Sequence, residues 1–186
     1  MVFFTSDQHF GHWNINQYCN RGFSSLEEMD DTLIEAWNSV VGPEDVLYHL
    51  GDFCLGSWND AVRYIMRLNG KIFFLLDRLH HDRRWMSGSN VGTQIWVGGS
   101  SYSIEFLPPI HELIVEDKSI ILCHHPFAVW DKKHYGSWHL HGHIHNRQMS
   151  ETELILNVGV DAHETWAPLS LEQVVKFMEV KNGDSN

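Results

Sequence analysis

Thiols, positive charge and long apolar runs are all scarce in this sequence, and each shortage removes a class of protein. Cys19, Cys54 and Cys123 are three in number, far apart and outside any C-x-x-C spacing. They read as reduced, buried thiols of a cytoplasmic protein rather than as a disulfide framework. Thirteen Lys and Arg stand against twenty-four Asp and Glu, a formal charge of -11. Such a surface repels a phosphate backbone except where cations concentrate locally, which argues against general nucleic-acid binding. No apolar run approaches the roughly 18 residues of a membrane span, and the opening "MVFFTSDQHF" has no basic region and meets Asp7 at once. No membrane association or targeting segment is therefore expected. Repeats and low-complexity linkers are missing too, so the 186 residues, 43% of them hydrophobic, are expected to form one domain over 1–186.

What is present reads as alternating strands and helices in the first half. Residues 2–6, "VFFTS", form a short β-prone run. In "SSLEEMDDTLIEAWNSVVGP", Ser25 and Glu28 have capping-box spacing and Leu26, Met29, Leu33, Trp37 and Val40 recur at steps of three and four. With the stop at Gly42-Pro43, this predicts an amphipathic helix. Residues 45–50 predict a second strand, 57–70 a helix closed by Gly70, and 71–76 a third strand. After Gly88 come short strand-like pieces at 93–98, 101–107, 111–116, 119–125 and 152–160. Only 170–180 is helical again.

Histidine is in excess, with fourteen in the chain, four of them at alternate positions in "HLHGHIH" (139–145). Polar clusters follow the predicted strands: Asp7 and His9 after the first, Gly51-Asp52 after the second, His80-His81-Asp82 after the third, His124-His125 after 119–123, and His143 and His145 before the strand in 152–160. In α/β sheets, ligand sites assemble at the carboxyl ends of strands, so segments remote in sequence can converge there. A single D-x-H or H-x-H is usually a solvated turn. Five such clusters together point to a metal or catalytic site.

Asp7-x-His9, Gly51-Asp52, "LHHD" (79–82), His124 and Gly142-His143-x-His145 resemble, in order and spacing, the five motifs of the calcineurin-like metallophosphoesterases, over about residues 3 to 161. "SDQHFGHWNI", "HLGDF" and "LNVGVDAHETWAPLSLEQV" are similar to small bacterial and phage members. The resemblance implies an α/β fold, a four-layer α/β/β/α sandwich in which two facing mixed β-sheets are flanked by helices. It further implies two divalent transition-metal ions, one held by Asp7, His9, Asp52 and His145, the other by Asp52 as a bridge, His124, His143 and the residue at position 80. Imidazole and carboxylate without thiolate suit manganese, iron, zinc, nickel or cobalt, with manganese favoured. Two such ions can generate a bridging hydroxide and clamp a phosphoryl group. His81, in the place of the family's catalytic histidine, is then expected either to protonate the leaving alcohol or to steady the phosphoryl group.

Departures and gaps remain. The family's Gly-Asn-His-Asp is replaced by Leu79, His80, His81 and Asp82. Either His80 ligates in place of asparagine, or the loop shifts so that His81 misses the substrate, or the register differs and Asp77 enters. His141 is expected as a hydrogen-bond partner of a ligand or as a pocket wall, and His139 as structural. His12, Arg21, Lys132 and Lys133 are candidates for phosphate contact, the two lysines in a connection long enough to be a binding loop with Trp130 and Trp138. The expected activity is metal-dependent hydrolysis of small phosphodiesters. The alternatives are a phosphomonoesterase or nuclease, and a metal-binding module that has lost the reaction. The oligomeric state is left open.

Overall fold

A computed structural model of the protein describes residues 1–77, 81–97 and 102–183. The elements run β1 (Val2–Thr5), α1 (Asn14–Tyr18), α2 (Leu26–Val40), β2 (Val46–His49), α3 (Trp58–Ile65), β3 (Lys71–Leu75), β4 (Gln94–Val97), β5 (Tyr102–Leu107), β6 (Ile110–Val115), β7 (Lys118–Cys123), β8 (Trp138–His141), β9 (Ile155–Asn157), β10 (Leu169–Ser170) and α4 (Leu171–Gly183). Helix α2 starts where its cap predicts. The Ser25 side chain accepts the Glu28 N–H at 3.0 Å, while the Glu28 carboxylate reaches one residue further back, to the Ser24 N–H at 2.8 Å. Its apolar stripe, Met29, Leu33, Ile34 and Trp37, is buried. Helix α3 carries a complete capping box between Ser57 and Asp60.

Strand alternation sorts side chains between two cores. One sheet has the order β10-β1-β2-β3-β5-β4 and the other β6-β7-β8-β9; both mix parallel and antiparallel neighbours. Phe3, Leu47, Ile72, Phe74, Ile104 and Phe106 face α2 and α3 in one core. Phe4, Leu50 and Leu75 turn the other way and meet Ile120, Leu122, Leu140 and Leu156 of the facing sheet. Each fully buried large apolar side chain contributes about 1.5–3 kcal/mol, so the two interleaved layers hold the sheets in fixed register. Helix α4 touches β10, β1 and β9, edge strands of both sheets among them, and buries Val174 and Met178 in the inter-sheet core. Over the outer face of the second sheet lie Phe127 and Trp130, packed on Ile121 and Ile155.

The connection 124–137 is thus a cover for that sheet. Trp130 is buried and donates from Nε1 to the Ser137 carbonyl at 3.1 Å, and Trp138 belongs to β8 in the inter-sheet core. His139 is structural: its Nδ1–H donates to the Ile121 carbonyl at 2.9 Å and its Nε2 accepts the Phe127 N–H at 3.1 Å. Strand β8 lies at the end of the connection whose length had suggested a binding loop. The alternation that places imidazoles at every second residue is the strand's own, with Leu140 directed inward between His139 and His141.

Asp82 pins the turn after β3 to the turn after β2. It is fully buried and accepts the N–H groups of Phe53 (2.9 Å) and Cys54 (3.0 Å) and the Trp85 indole N–H (2.6 Å). Removing the carboxylate strands three buried donors, each costing roughly 1–3 kcal/mol. Asp82→Ala is therefore expected to lose about 3 kcal/mol or more in urea denaturation, and a loss below about 1 kcal/mol would show that the turns hold without it.

Candidate metal centre

The parallel ladder between β1 and β2 runs past the strands into the loops: Asp7 N–H donates to Gly51 O (3.0 Å), His9 to Asp52 O (2.9 Å) and Phe10 to Phe53 O (2.8 Å). In the facing sheet, Gly142 N–H donates to His124 O at 3.0 Å, and Ser6 pairs with Gly159 across the gap. Carboxyl ends of strands from both sheets therefore meet at one edge. Asp7, His9, Asp52 and His124 are buried there, His145 is half-buried and His143 is exposed.

Nine non-glycine residues among those described have φ between +51° and +70°, and five of them are Asp7, His9, Asp52, His143 and His145. A side chain held in the left-handed region costs on the order of 1–3 kcal/mol. Concentrating that strain on five residues at one edge marks the edge as a site. Glycine makes the close approach possible. A Cβ on Gly142 would overlap the Asp7 carboxylate and the Ser6 hydroxyl, and one on Gly159 would lie 2.7 Å from Asp7 Oδ2. The His143 N–H closes on the same carboxylate at 3.0 Å.

Donor atoms converge in overlapping groups. Asp7, His9 and His145 each offer one within 4.8 Å of the others, as do Asp7, Asp52 and His124, and His124, His125 and His143. Asp52 Oδ2 lies 3.3 Å from His9 Nε2 and 3.5 Å from His124 Nε2. Ligands about 2.1 Å from a common ion are roughly 3.0–3.5 Å apart in tetrahedral or octahedral geometry, so these spacings fit carboxylate and imidazole around divalent ions. His9 Nε2 is buried and makes no hydrogen bond among the described residues, as expected of a nitrogen reserved for a metal.

The electrostatics agree. Burial raises the Asp7 carboxyl above its ordinary range; positive charge on His124 and His145 opposes this, and the Asp52 charge adds to it. Burial acts to raise Asp52 as well, but the neighbouring imidazoles of His124 and His9 hold it well below the usual carboxylate range. Although His143 is exposed as a residue, partial desolvation of its ring, with the charges of His124 and His125, lowers it to about 4 and favours the neutral form that binds metal.

Residues outside the expected set do much of the orienting. Asp161 was not singled out from the sequence, although it lies in the quoted stretch "LNVGVD" directly after β9. It accepts the His145 Nδ1–H at 2.8 Å and a bidentate pair from Arg21 at 2.7 and 2.8 Å. Burial works against charge on His145, yet this carboxylate pushes it up to about 10 and holds a proton on Nδ1, so an ion bound at Nε2 must displace the second ring proton. Asn157 donates to the carbonyls of His145 (2.6 Å) and Arg147 (2.9 Å) and shapes the same loop. Cys19, expected as a buried thiol, is half-buried and groups with His145 and Asp161.

Of the remaining expectations, His81 is at the edge: its N–H donates to Asp52 Oδ1 at 2.9 Å and its ring is 5.1 Å from that of His9. His12 is also there, its Nδ1 3.4 Å from His9 Nδ1. His141 donates from Nδ1 to the Gly142 carbonyl at 2.8 Å, while its buried Nε2 has no hydrogen-bond partner among the described residues. Three phosphate-contact candidates are engaged with other groups. Arg21 is buried and spent on Asp161 and on the carbonyls of Asp7 (2.7 Å) and Gln8 (2.9 Å). Lys132 pairs with Glu112 and Lys133 with Glu153, at the outer face of the second sheet. His80, expected as a ligand, lies outside the described residues. A cleft of about 320 Å³ lined by Tyr18, Cys19, His143, His145 and Arg147 adjoins the exposed side of the cluster.

Over 187 aligned residues the chain is 33% identical to the uncharacterized protein MJ1445 of Methanocaldococcus jannaschii, a match that spans 96% of this chain and 91% of that one. The chain belongs to that protein's family. The gene 66 protein of mycobacterium phage L5 is 27% identical, over 87% of this chain and 86% of its own length. Among solved structures, a protein of unknown function from Aquifex aeolicus superposes with a TM-score of 0.68 at 21% identity, covering 95% of this chain and 98% of that one, and so shares the fold. A likeness to an archaeal phosphodiesterase, at a TM-score of 0.42, 17% identity and 85% and 81% coverage, is too remote to carry an argument. No protein-family model matches.

Two substitutions test the geometry. Gly142→Ala is expected to destabilise the protein by about 1–3 kcal/mol, the usual cost of overpacking, and to lower metal uptake by displacing Asp7, read by denaturation and elemental analysis. Asp161→Asn is expected to weaken divalent-ion binding at the Asp7–His9–His145 group by roughly 10–100-fold, as loss of a ligand's orienting partner does. Unchanged affinity in a metal titration would remove Asp161 from the site.

Proposed function

We propose that the protein is a calcineurin-like metallophosphoesterase, a metal-dependent hydrolase of small phosphodiesters with a two-metal centre. The observation that carries this reading is the position of Asp52 Oδ2 between two imidazole nitrogens from different sheets, 3.3 Å from His9 Nε2 and 3.5 Å from His124 Nε2. A carboxylate oxygen so placed suits a bridge between two cations. Asp7, His9 and His145 would hold one divalent ion with it, and His124 and His143 the other; manganese is favoured, with iron, zinc, nickel or cobalt also suited to the donors.

Bound there, the ions supply a water nucleophile near neutral pH and positive charge for the phosphoryl oxygens. The residues supply the rest. Asp52 also accepts the His81 N–H, which fixes that histidine beside the cluster, where its ring can give a proton to the leaving alkoxide. His12, against both His9 and His81, can hold a phosphoryl oxygen. The cleft walled by Tyr18 and Arg147 takes an ester group. With Arg21, Lys132 and Lys133 committed elsewhere, Arg147 takes over as the cation offered to an anionic substrate.

The test is hydrolysis of bis(p-nitrophenyl) phosphate against p-nitrophenyl phosphate after chelation and addition of manganese, with the diester expected to be favoured. Preference for the monoester would support a phosphomonoesterase, and no turnover of either would leave a metal-binding module. Asp52→Asn is expected to abolish activity and the binding of both ions. His81→Ala is expected to lower turnover by roughly 10²–10⁴, the range for general acid–base catalysis, with metal content unchanged. Parent-level turnover by His81→Ala on a diester with a poor leaving group would remove His81 from that role.

A further inference from the structure

The pocket on the His124 side holds one imidazole more than the sequence motifs assign. His124, His125 and His143 each offer a donor atom within 4.8 Å of the others. Their rings pack around one point, at 5.0 Å between His124 and His125, 5.1 Å between His124 and His143, and 4.3 Å between His125 and His143. Consecutive residues of a strand face opposite ways. Here β7 ends at Cys123 and the chain bends at 124–125, so both histidines can face the same pocket. The Asp77 carboxylate, itself buried, lies 3.8 Å from His125 Nδ1, beyond hydrogen-bond length but close enough for its charge to favour a proton on that side of the ring and leave Nε2 for a cation. The stretch from β3 to His81 contains no asparagine.

We infer that His125 is a ligand of the second metal ion, oriented by Asp77, so that this pocket is formed by His124, His125, His143 and the shared Asp52. The inference rests on the two-metal reading above and assigns it a residue. Three neutral imidazoles and one carboxylate make a softer, nitrogen-rich set, which suits zinc, cobalt, nickel or ferrous iron better than manganese or magnesium. The first pocket, with Asp7 and Asp52 against His9 and His145, keeps more oxygen. The two ions would therefore differ in kind, and the second would tolerate loss of the residue at position 80.

The test is cobalt uptake by the full chain after chelation, followed by elemental analysis and by visible d–d absorption, which reports the ligand field of each bound ion. The parent is expected to hold two ions, and zinc is expected to displace the second more readily than the first. His125→Gln is expected to weaken the second ion by at least tenfold and change its absorption, Asp77→Asn to weaken it by roughly 10–100-fold, and His80→Gln to leave it bound. The His125 side chain is 34% exposed, so its replacement leaves the cores intact, and Asp77→Asn gives a second reading. Loss of the second ion in His80→Gln with retention in His125→Gln overturns the assignment. A parent that binds one ion, lost in His125→Gln and kept in His9→Gln, defeats the two-metal reading but supports the pocket. The reverse pattern overturns the pocket.

Discussion

Two carboxylates, Asp7 and Asp52, lie with donor atoms close enough to share an ion and with almost no access to water. Like charges in that setting are stable only when positive charge is brought to them. Much of the surrounding structure follows. Arg21 gives its guanidinium to the Asp7 and Gln8 carbonyls and to Asp161, so a fixed cation braces the loop from behind without competing for the Asp7 carboxylate oxygens. That leaves the front of the carboxylate pair to the imidazoles and to whatever cations they admit.

The sandwich makes the convergence geometrically cheap. Parallel strands β1, β2 and β3 deliver their carboxyl ends to one edge of the first sheet, and β7 and β8 deliver theirs to the facing edge of the second. The core between them, from Phe4 and Leu75 on one side to Ile120 and Leu140 on the other, sets the spacing at which loops from two sheets can share ligands. Strain in those loops is tolerated because the ladder hydrogen bonds continue into them.

Periodicity made the helices and the strands of the first half legible, because α2 and β1 to β3 each bury one face or lie between two layers. Short segments were not. Helix α1 has five residues, too few for a period to register, and β8 was hidden because polar imidazoles occupy its outward positions, one of them satisfied by backbone groups of Ile121 and Phe127. The polar clusters were legible as a set, and the structure brings Asp7, His9, Asp52, His81, His124, His143 and His145 to one edge. What sequence spacing could not supply was which cations are already spent. Arg21 meets Asp161 across 140 positions, and Lys132 and Lys133 each meet a glutamate twenty positions away. Position 80 lies outside the described residues, so its part in the site stays with the sequence argument.

The left-handed backbone at Asp7, His9, Asp52, His143 and His145 restricts which amino acids can stand there at all. Besides glycine, the types that accept that conformation most readily are asparagine, aspartate and histidine, whereas β-branched side chains are strongly disfavoured. Those three polar types are also oxygen and nitrogen donors to metals. The loops therefore enforce a small alphabet in which most permitted letters are potential donors, so that a substitution accepted at these positions tends to exchange one donor type for another while the fold is left as it was.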